Sequence, residues 1–390
     1  MTATYTPVAT DKRIAIVDIL RGWALLGVVL MNYSDVFFYL GAPPKIGPVS
    51  NALILAGNII FSAKSWTLLS VLFGYGFAIL IDNVASKGIN PTAFFIRRMF
   101  WLLVIAFVNS AFFFGDILKD YAVLGIVLLL FRNCSAKTAF YISLALIIAN
   151  PVLTAFIFTL RINGMALAAP YFPLYQSHNL LDIFKSGLMG TYKFELLNPF
   201  YSVVCHEVIL LCFLLGLAAQ KINFFGRLNE NRKYIKRIFW ISLGFTLLMQ
   251  ASWPVMKALG LQQAFKYYQP MFWGVLSTML FTTSAICRLY ISGKLRRFFS
   301  GLQVYGKMTL TNYVTQNILA VVLFSGVGFR LGMQGLSYGV YMLIALAIYI
   351  AQIYFSRWWL AKYHFGPLEW VWRQLSYGKR LPIKRIPQTP

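Results

Sequence analysis

Charge is what this sequence has least of. Asp, Glu, Lys and Arg make up 12% of its 390 residues and hydrophobic residues 59%, where soluble domains hold about 25% and about 45 to 50%. A soluble globular domain is excluded, and a mean hydropathy of +0.67 points to a polytopic membrane protein. Cysteine is scarce as well. Cys134, Cys205, Cys212 and Cys287 stand singly, with no CxxC pair and no His/Cys ligand spacing, so neither a disulfide framework nor a metal site is indicated. The opening "MTATYTPVATDKR" lacks a basic n-region, a short apolar h-region and a small-residue cleavage site. The first apolar helix is therefore expected to serve as its own targeting signal. Long-period repeats, linkers between soluble domains and low-complexity tracts are missing too, which leaves one helical bundle.

What the chain does have is apolar runs long enough to cross roughly 30 Å of hydrocarbon. Ten candidates lie near 14–38, 56–81, 95–114, 117–131, 138–160, 200–220, 236–256, 269–291, 308–328 and 337–360. The fourth is short and forms a tight hairpin with the third. The expected fold is an all-α bundle of about ten transmembrane helices over 14–360. A cytoplasmic segment 1–13 precedes it, an outer loop of about 161–199 interrupts it, and a basic cytoplasmic tail 361–390 follows. The net charge of +24 does not signal nucleic acid, because the basic residues sit in short runs between apolar segments. With ten spans and an inner N-terminus, 26 of the 35 basic residues fall on the cytoplasmic side, as the positive-inside bias requires. Both termini are then cytoplasmic. In the outer loop, "NLLDIFKSGLMG" reads as a short amphipathic helix on the membrane surface, a possible lid.

The first span, "DILRGWALLGVVLMNYSD", carries polar groups that lipid would reject. At 100° per residue Asp18, Arg21, Leu25, Val29, Asn32 and Asp35 share one stripe within roughly 120°. A charge facing lipid costs about 2.5 to 3.5 kcal/mol on insertion scales, so the stripe faces protein or water. An Asp18 to Arg21 ion pair with a packing amide at Asn32 would account for it. So would a cavity lined by charge at its inner end and an amide at its outer end.

Other segments supply companions. Lys64 is the one basic residue assigned inside a span, and it needs a carboxylate such as Asp35, Asp116 or Asp120, or a substrate anion. Gly74 and Gly76 permit close helix approach or ligand contact. Asp116, in "GDILKDY", is suited to capping the fourth span. His206 and Glu207 form an ionisable pair near the outer end of the sixth span, a proton-handling candidate. Asn312 and Gln316, one turn apart in "GKMTLTNYVTQNIL", either hydrogen-bond between helices or line a polar cavity.

The stretches "DILRGWALLGVVLMN", "KSWTLLSVLFGYGF", "GDILKDYAVLG", "GKMTLTNYVTQ" and "FGPLEWVWRQLSYGKR" together resemble the YeiB-like family of bacterial inner-membrane proteins, which carry a domain of unknown function (DUF418). The last block is the most specific, with Gly366, Pro367, Glu369, Trp370, Trp372 and Arg373. The first helix also resembles the wider group of transmembrane acyltransferases, among them the lysosomal heparan glucosamine N-acetyltransferase and the bacterial polysaccharide O-acyltransferases. That likeness implies cytoplasmic acyl-CoA as a co-substrate at Asp18, Arg21 and Gly22, with no tightly bound cofactor. It also implies an envelope glycan or lipid as acceptor. Asn32 matches the position of Asn in the N-acetyltransferase type and of His in the O-acyltransferase type. Pro43 stands where the former has a His, and Asn109 where many YeiB-like members have one. A neutral amide is no general base, so the base is expected from His206 with Glu207, or from Asp116. A transporter or lipid translocator, with the same polar groups lining a path, is the alternative. A scaffold without catalysis is the third.

Overall fold

The computed structural model describes residues 13–36 and 42–385. Among them no strand occurs, only isolated bridges pairing Lys45 with Ser337 and Tyr363 with Lys384. The helices are α1 (Ala15–Met31), α2 (Pro48–Ile60), α3 (Lys64–Ala85), α4 (Pro91–Phe112), α5 (Leu118–Leu128), α6 (Ala136–Thr159), α7 (Gly164–Ala168) and α8 (Leu180–Thr191). After them come α9 (His206–Lys221), α10 (Arg232–Ala258), α11 (Met271–Ile291), α12 (Arg296–Gly306), α13 (Thr309–Phe324), α14 (Tyr338–Lys362) and α15 (Pro367–Tyr377). In a bilayer every backbone polar group must be satisfied within the chain, and helices do this locally.

Eight stretches of the described chain are long and apolar enough to cross a membrane. This is a multi-pass membrane protein. Two of the ten expected spans are shorter than the rest: α5, extended by a 3-10 turn to Phe131, and α13, with 16 residues. The expected helix over 56–81 is broken into α2 and α3, with Ala63 in the left-handed region at φ 60°. Hydroxyls around the break bond back to the backbone, Ser65 Oγ to Phe61 O at 3.1 Å and Thr67 Oγ1 to Ala63 O at 2.9 Å. Such bonds compete with regular helix propagation.

Glycines set the tightest crossings. A Cβ on Gly22 would stand 2.3 Å from the carbonyl oxygen of Leu302 in α12, and one on Gly306 only 1.9 Å from that of Asp18. Gly74 and Gly216 do the same between α3 and α9, against Phe213 O at 2.0 Å and Val71 O at 1.9 Å. These approaches pair α1 with α12 and α3 with α9, and residues of α1, α3 and α9 line one interior space. Elsewhere apolar side chains face outward, as on α10, where Ile241 is 72% exposed and meets lipid.

At the inner end the tail folds back under the bundle. Glu369 of α15 accepts Leu310 N at 2.7 Å and Thr311 N at 3.1 Å, with Thr311 Oγ1 at 2.6 Å. It caps α13 from a distant part of the chain and satisfies donors that a helix start leaves free. Gly366 is required beside it, since a Cβ there would lie 2.1 Å from Glu369 Oε2. Pro367 begins α15, and Trp370 Nε1 donates to Leu381 O at 2.8 Å.

Candidate functional site: a cavity through the bundle

A cavity of about 750 Å³ runs through the bundle, lined at one end by Asp18 and Arg21 and at the other by Asn32 and Asp120. Arg21 and Asn32 are eleven residues apart, roughly 16 Å along a helix at about 1.5 Å per residue. The volume is within the range of small-molecule sites, about 300 to 1,000 Å³.

The inner mouth is basic. Among the described residues Arg13, Arg21, Lys87, Arg98, Lys307 and Arg373 line it, with only Asp18 and Glu369 of opposite charge. Asp18 is taken up by Arg21 Nη1 at 3.2 Å and Arg13 Nε at 3.9 Å, and Glu369 by the cap on α13. Arg98 rests instead on the Trp372 ring, 3.6 Å from its centroid, and Trp372 Nε1 donates to Arg98 O at 2.9 Å. Arg373 lies over Phe365 at 4.6 Å. Burial, and then the charge of Arg13, hold Arg373 below its ordinary value. Burial likewise raises Glu369, against the pull of its hydrogen bonds. Arg98 and Arg373, whose described contacts are with aromatic rings, are suited to an anion. Gly76 leaves room for the Arg21 guanidinium, where a Cβ would stand 3.2 Å from Nη2.

The middle is apolar, walled by Leu25, Leu69, Phe73, Phe77 and Leu102. Beyond it Asn32 opens the π-helical turn Asn32–Val36 and lines the cavity. Its amide makes no hydrogen bond to another described residue.

At the outer end four ionisable side chains meet. Lys119 Nζ lies 3.2 Å from Asp120, donates to Asp116 O at 2.8 Å and pairs directly with Glu195. His206 Nε2 is 3.0 Å from Asp120 Oδ1, and its Nδ1 is 3.0 Å from Ser202 O. A carbonyl only accepts, so Nδ1 is the donor in the first contact, and this bond turns Nε2 toward Asp120. Asp120 and Glu195 line the cavity, with His206 behind Asp120. Burial raises Glu195, while Lys119 pulls it back.

Other residues picked out by the sequence sit elsewhere. Asp116 is fully buried behind the outer end, accepting Asn109 Nδ2 at 2.9 Å and Leu118 N at 3.2 Å, and so capping α5. Asn109 accepts in turn from Asn317 at 3.2 Å. Burial pushes the Asp116 carboxyl up to about 6, with Lys119 opposing. Glu207 faces away from His206 and accepts Asn150 Nδ2 at 2.7 Å. Lys64 starts α3, donates to Asn58 O at 2.7 Å and lies off the cavity wall. Gly22 serves the α1 to α12 crossing. Gln316 donates to Tyr305 Oη at 2.6 Å and Gln352 at 3.1 Å, and Asn312 to Ser356 Oγ at 3.1 Å. Both tie α12, α13 and α14 together. The side chain of Asp35 lies outside the described residues.

Asp120 and Glu195 complete the outer cluster, and sequence cues for them differ. Asp120 follows Asp116 by four residues in "GDILKDY", but α5 begins only at Leu118, so the spacing does not place the two carboxylates on one helix face. Glu195 comes from the outer loop, where no periodicity marks it.

Residues 219–379, which include α10 to α15, match the family described as "Protein of unknown function (DUF418)". The chain carries the DUF418 domain of the YeiB-like proteins. It is 28% identical to the uncharacterized protein YxaH of Bacillus subtilis (strain 168), over 97% of this chain and 98% of the relative. It is 29% identical to an uncharacterized 39.9 kDa protein in the amylase 3' region of Bacillus acidopullulyticus, over 97% of both. Identity to the uncharacterized protein YeiB of Escherichia coli (strain K12) is 24%, over 94% of this chain and 96% of that one. No solved structure matches. The DUF418 match contributes the Glu369 cap, the Trp372 stack and Arg373, which close the inner mouth. The outer cluster lies before it.

Proposed function

We propose that this protein is an acyltransferase of the bacterial inner membrane, moving an acyl group from cytoplasmic acyl-CoA to an envelope acceptor. Support comes from one observation: a single cavity joins a basic inner mouth to an outer cluster in which His206 Nε2 lies 3.0 Å from Asp120 Oδ1. The phosphates of the donor would meet Arg21, Arg98 and Arg373, where charge-assisted hydrogen bonds are strongest. Its extended arm would pass the apolar middle and bring the thioester level with Asn32.

There the acceptor hydroxyl or amine attacks the thioester carbon. The new bond to carbon forms, the C–S bond breaks, and the acceptor proton goes to Asp120, backed by the His206 imidazole. The leaving thiolate takes a proton back from the same pair, so the pair ends as it began. The Asn32 amide donates to the oxyanion, a role worth about 2.7 to 4 kcal/mol where one such donor has been removed from an enzyme. Asp120 therefore takes the part of base, with His206 as its proton partner. Glu207 and Asp116, off the cavity, position neighbouring helices.

Titration of the purified protein with acetyl-CoA and longer acyl-CoAs tests this. Saturable binding that weakens about tenfold in Arg21→Ala, a loss of about 1.4 kcal/mol, is expected. A flat titration with every chain length rejects the proposal. A passage running the depth of the bundle also suits translocation. Lipid flipping in proteoliposomes without any acyl donor would favour that second reading.

A further inference from the structure

The outer compartment has a roof and a side. Above it, α8 is tied down on the end of α4: a Cβ on Gly187 would lie 2.5 Å from Ser110 O, and one on Gly190 2.8 Å from the Phe114 Cβ. Thr191 Oγ1 donates to Phe114 O at 3.1 Å, and the loop that follows sends Glu195 inward to Lys119.

The side is different. Where α2 breaks from α3 and α11 begins, the cavity wall consists of Phe61, Ser62, Ala63, Met165, Phe200 and Met271. Only Ser62 among them has a polar side chain. Met271 is 45% exposed, and the rim runs on into Ile60 and Val203, 37% and 40% exposed on the outer surface of the bundle. Just inside, Phe272 is 2% exposed, stacked on Phe200 at 6.2 Å and edge-on to Trp66 at 6.1 Å.

We infer that this side opening admits a lipid of the outer leaflet, with its chain between Phe61 and Met271 and its hydroxyl- or amine-bearing headgroup at Asp120. A free glycan would meet a rim of phenyl and thioether groups that cannot replace its water, at the cost of unpaired polar groups. A lipid chain meets the same kind of surface it leaves. Charge inside the rim, from Asp120, Glu195 and Lys119, suits a polar headgroup and not a chain. The inference names the acceptor class for the transfer proposed above, and its chemical outcome rests on that reading. The binding of lipid does not.

The test reconstitutes the full-length protein in nanodiscs containing a trace of phosphatidylethanolamine with a diazirine on its acyl chain, then maps the crosslinks. Labelling is expected at buried Phe272 and Phe113 as well as on lipid-facing Ile241. In Met271→Trp the interior labelling should fall to background with Ile241 labelling unchanged. Phe200→Ala, which widens the rim, should raise it. Labelling confined to outward faces overturns the inference, as does interior labelling that neither variant alters. Interior labelling suppressed by soluble oligosaccharide would overturn it in favour of a glycan. Acyl-CoA titration of the same nanodiscs separates the two proposals: interior lipid labelling without acyl-CoA binding rejects transfer and leaves the lipid site standing.

Discussion

Asp116 and Asp120 are four residues apart, but Asp116 precedes α5 and Asp120 belongs to it, and of the two Asp120 reaches the cavity. Asp116 is sealed behind it, and burial raises its carboxyl from 3.8 to about 6. The folded state thus holds the proton more tightly than the unfolded state. The stability this contributes is fully present below 3.8 and is lost as pH rises through about 6. Asp116→Asn keeps the acceptor for Asn109 and Leu118 but never ionises. Its melting temperature relative to wild type should therefore climb across that window, by the equivalent of ~3 kcal/mol at most, as thermal unfolding in detergent would register. A constant difference at all pH values would show that Asp116 does not titrate in the fold. Asp120→Asn should behave otherwise. It removes the group that faces the cavity, so acceptor-dependent release of free thiol from acyl-CoA should fall by about 10² or more, with acyl-CoA affinity kept. His206→Gln should lower the same rate and alter its pH profile.

Among the helices, two glycines of similar appearance in sequence have opposite roles. Gly22 faces the backbone of α12 at a distance that no Cβ tolerates, whereas a Cβ on Gly244 in α10 would meet nothing within 4 Å. Gly22→Ala should destabilise by about 1 to 3 kcal/mol through overpacking. Gly244→Ala should be neutral or stabilise by up to ~1 kcal/mol through helix propensity. Chemical denaturation in mixed micelles would rank them. The α15 latch is a second element-scale device. Glu369→Ala leaves the Leu310 and Thr311 amides of α13 without their cap, a loss of about 1 kcal/mol, and hydrogen exchange there should quicken before that of α14. Neither the α13 cap nor the α2 to α3 break could be read from hydropathy, which sees both regions only as apolar stretches. The existence of the long spans could, because their length and apolarity are local properties.

For the whole molecule, orientation follows from where the cations lie. The positive-inside bias predicts that native Cys134, in the turn between α5 and α6, lies on the cytoplasmic side and Lys185 of α8 on the outer side. A membrane-impermeant maleimide applied to intact cells should label Lys185→Cys at once and Cys134 only after permeabilisation. The reverse pattern would invert the bundle and with it the proposed direction of transfer. The basic mouth and the outer cluster then face opposite compartments across a single cavity, which the first helix spans from Asp18 to Asn32.

The sequence alone determined the class of solvent this protein folds in, the helical form of its spans and the polar stripe on α1. All of these are local in origin: hydrocarbon obliges each segment to pair its own backbone, and helical spacing places neighbouring residues on one face. Tertiary structure alone decided which polar groups meet. Asp120 found His206, Lys119 found Glu195, Arg98 found Trp372, and Glu207, Lys64 and Asp116 were turned away from the cavity. Those outcomes depend on helix crossings at glycines where an added Cβ would stand under 3 Å from the facing backbone, between residues far apart in the chain, and spacing within one helix carries no information about them.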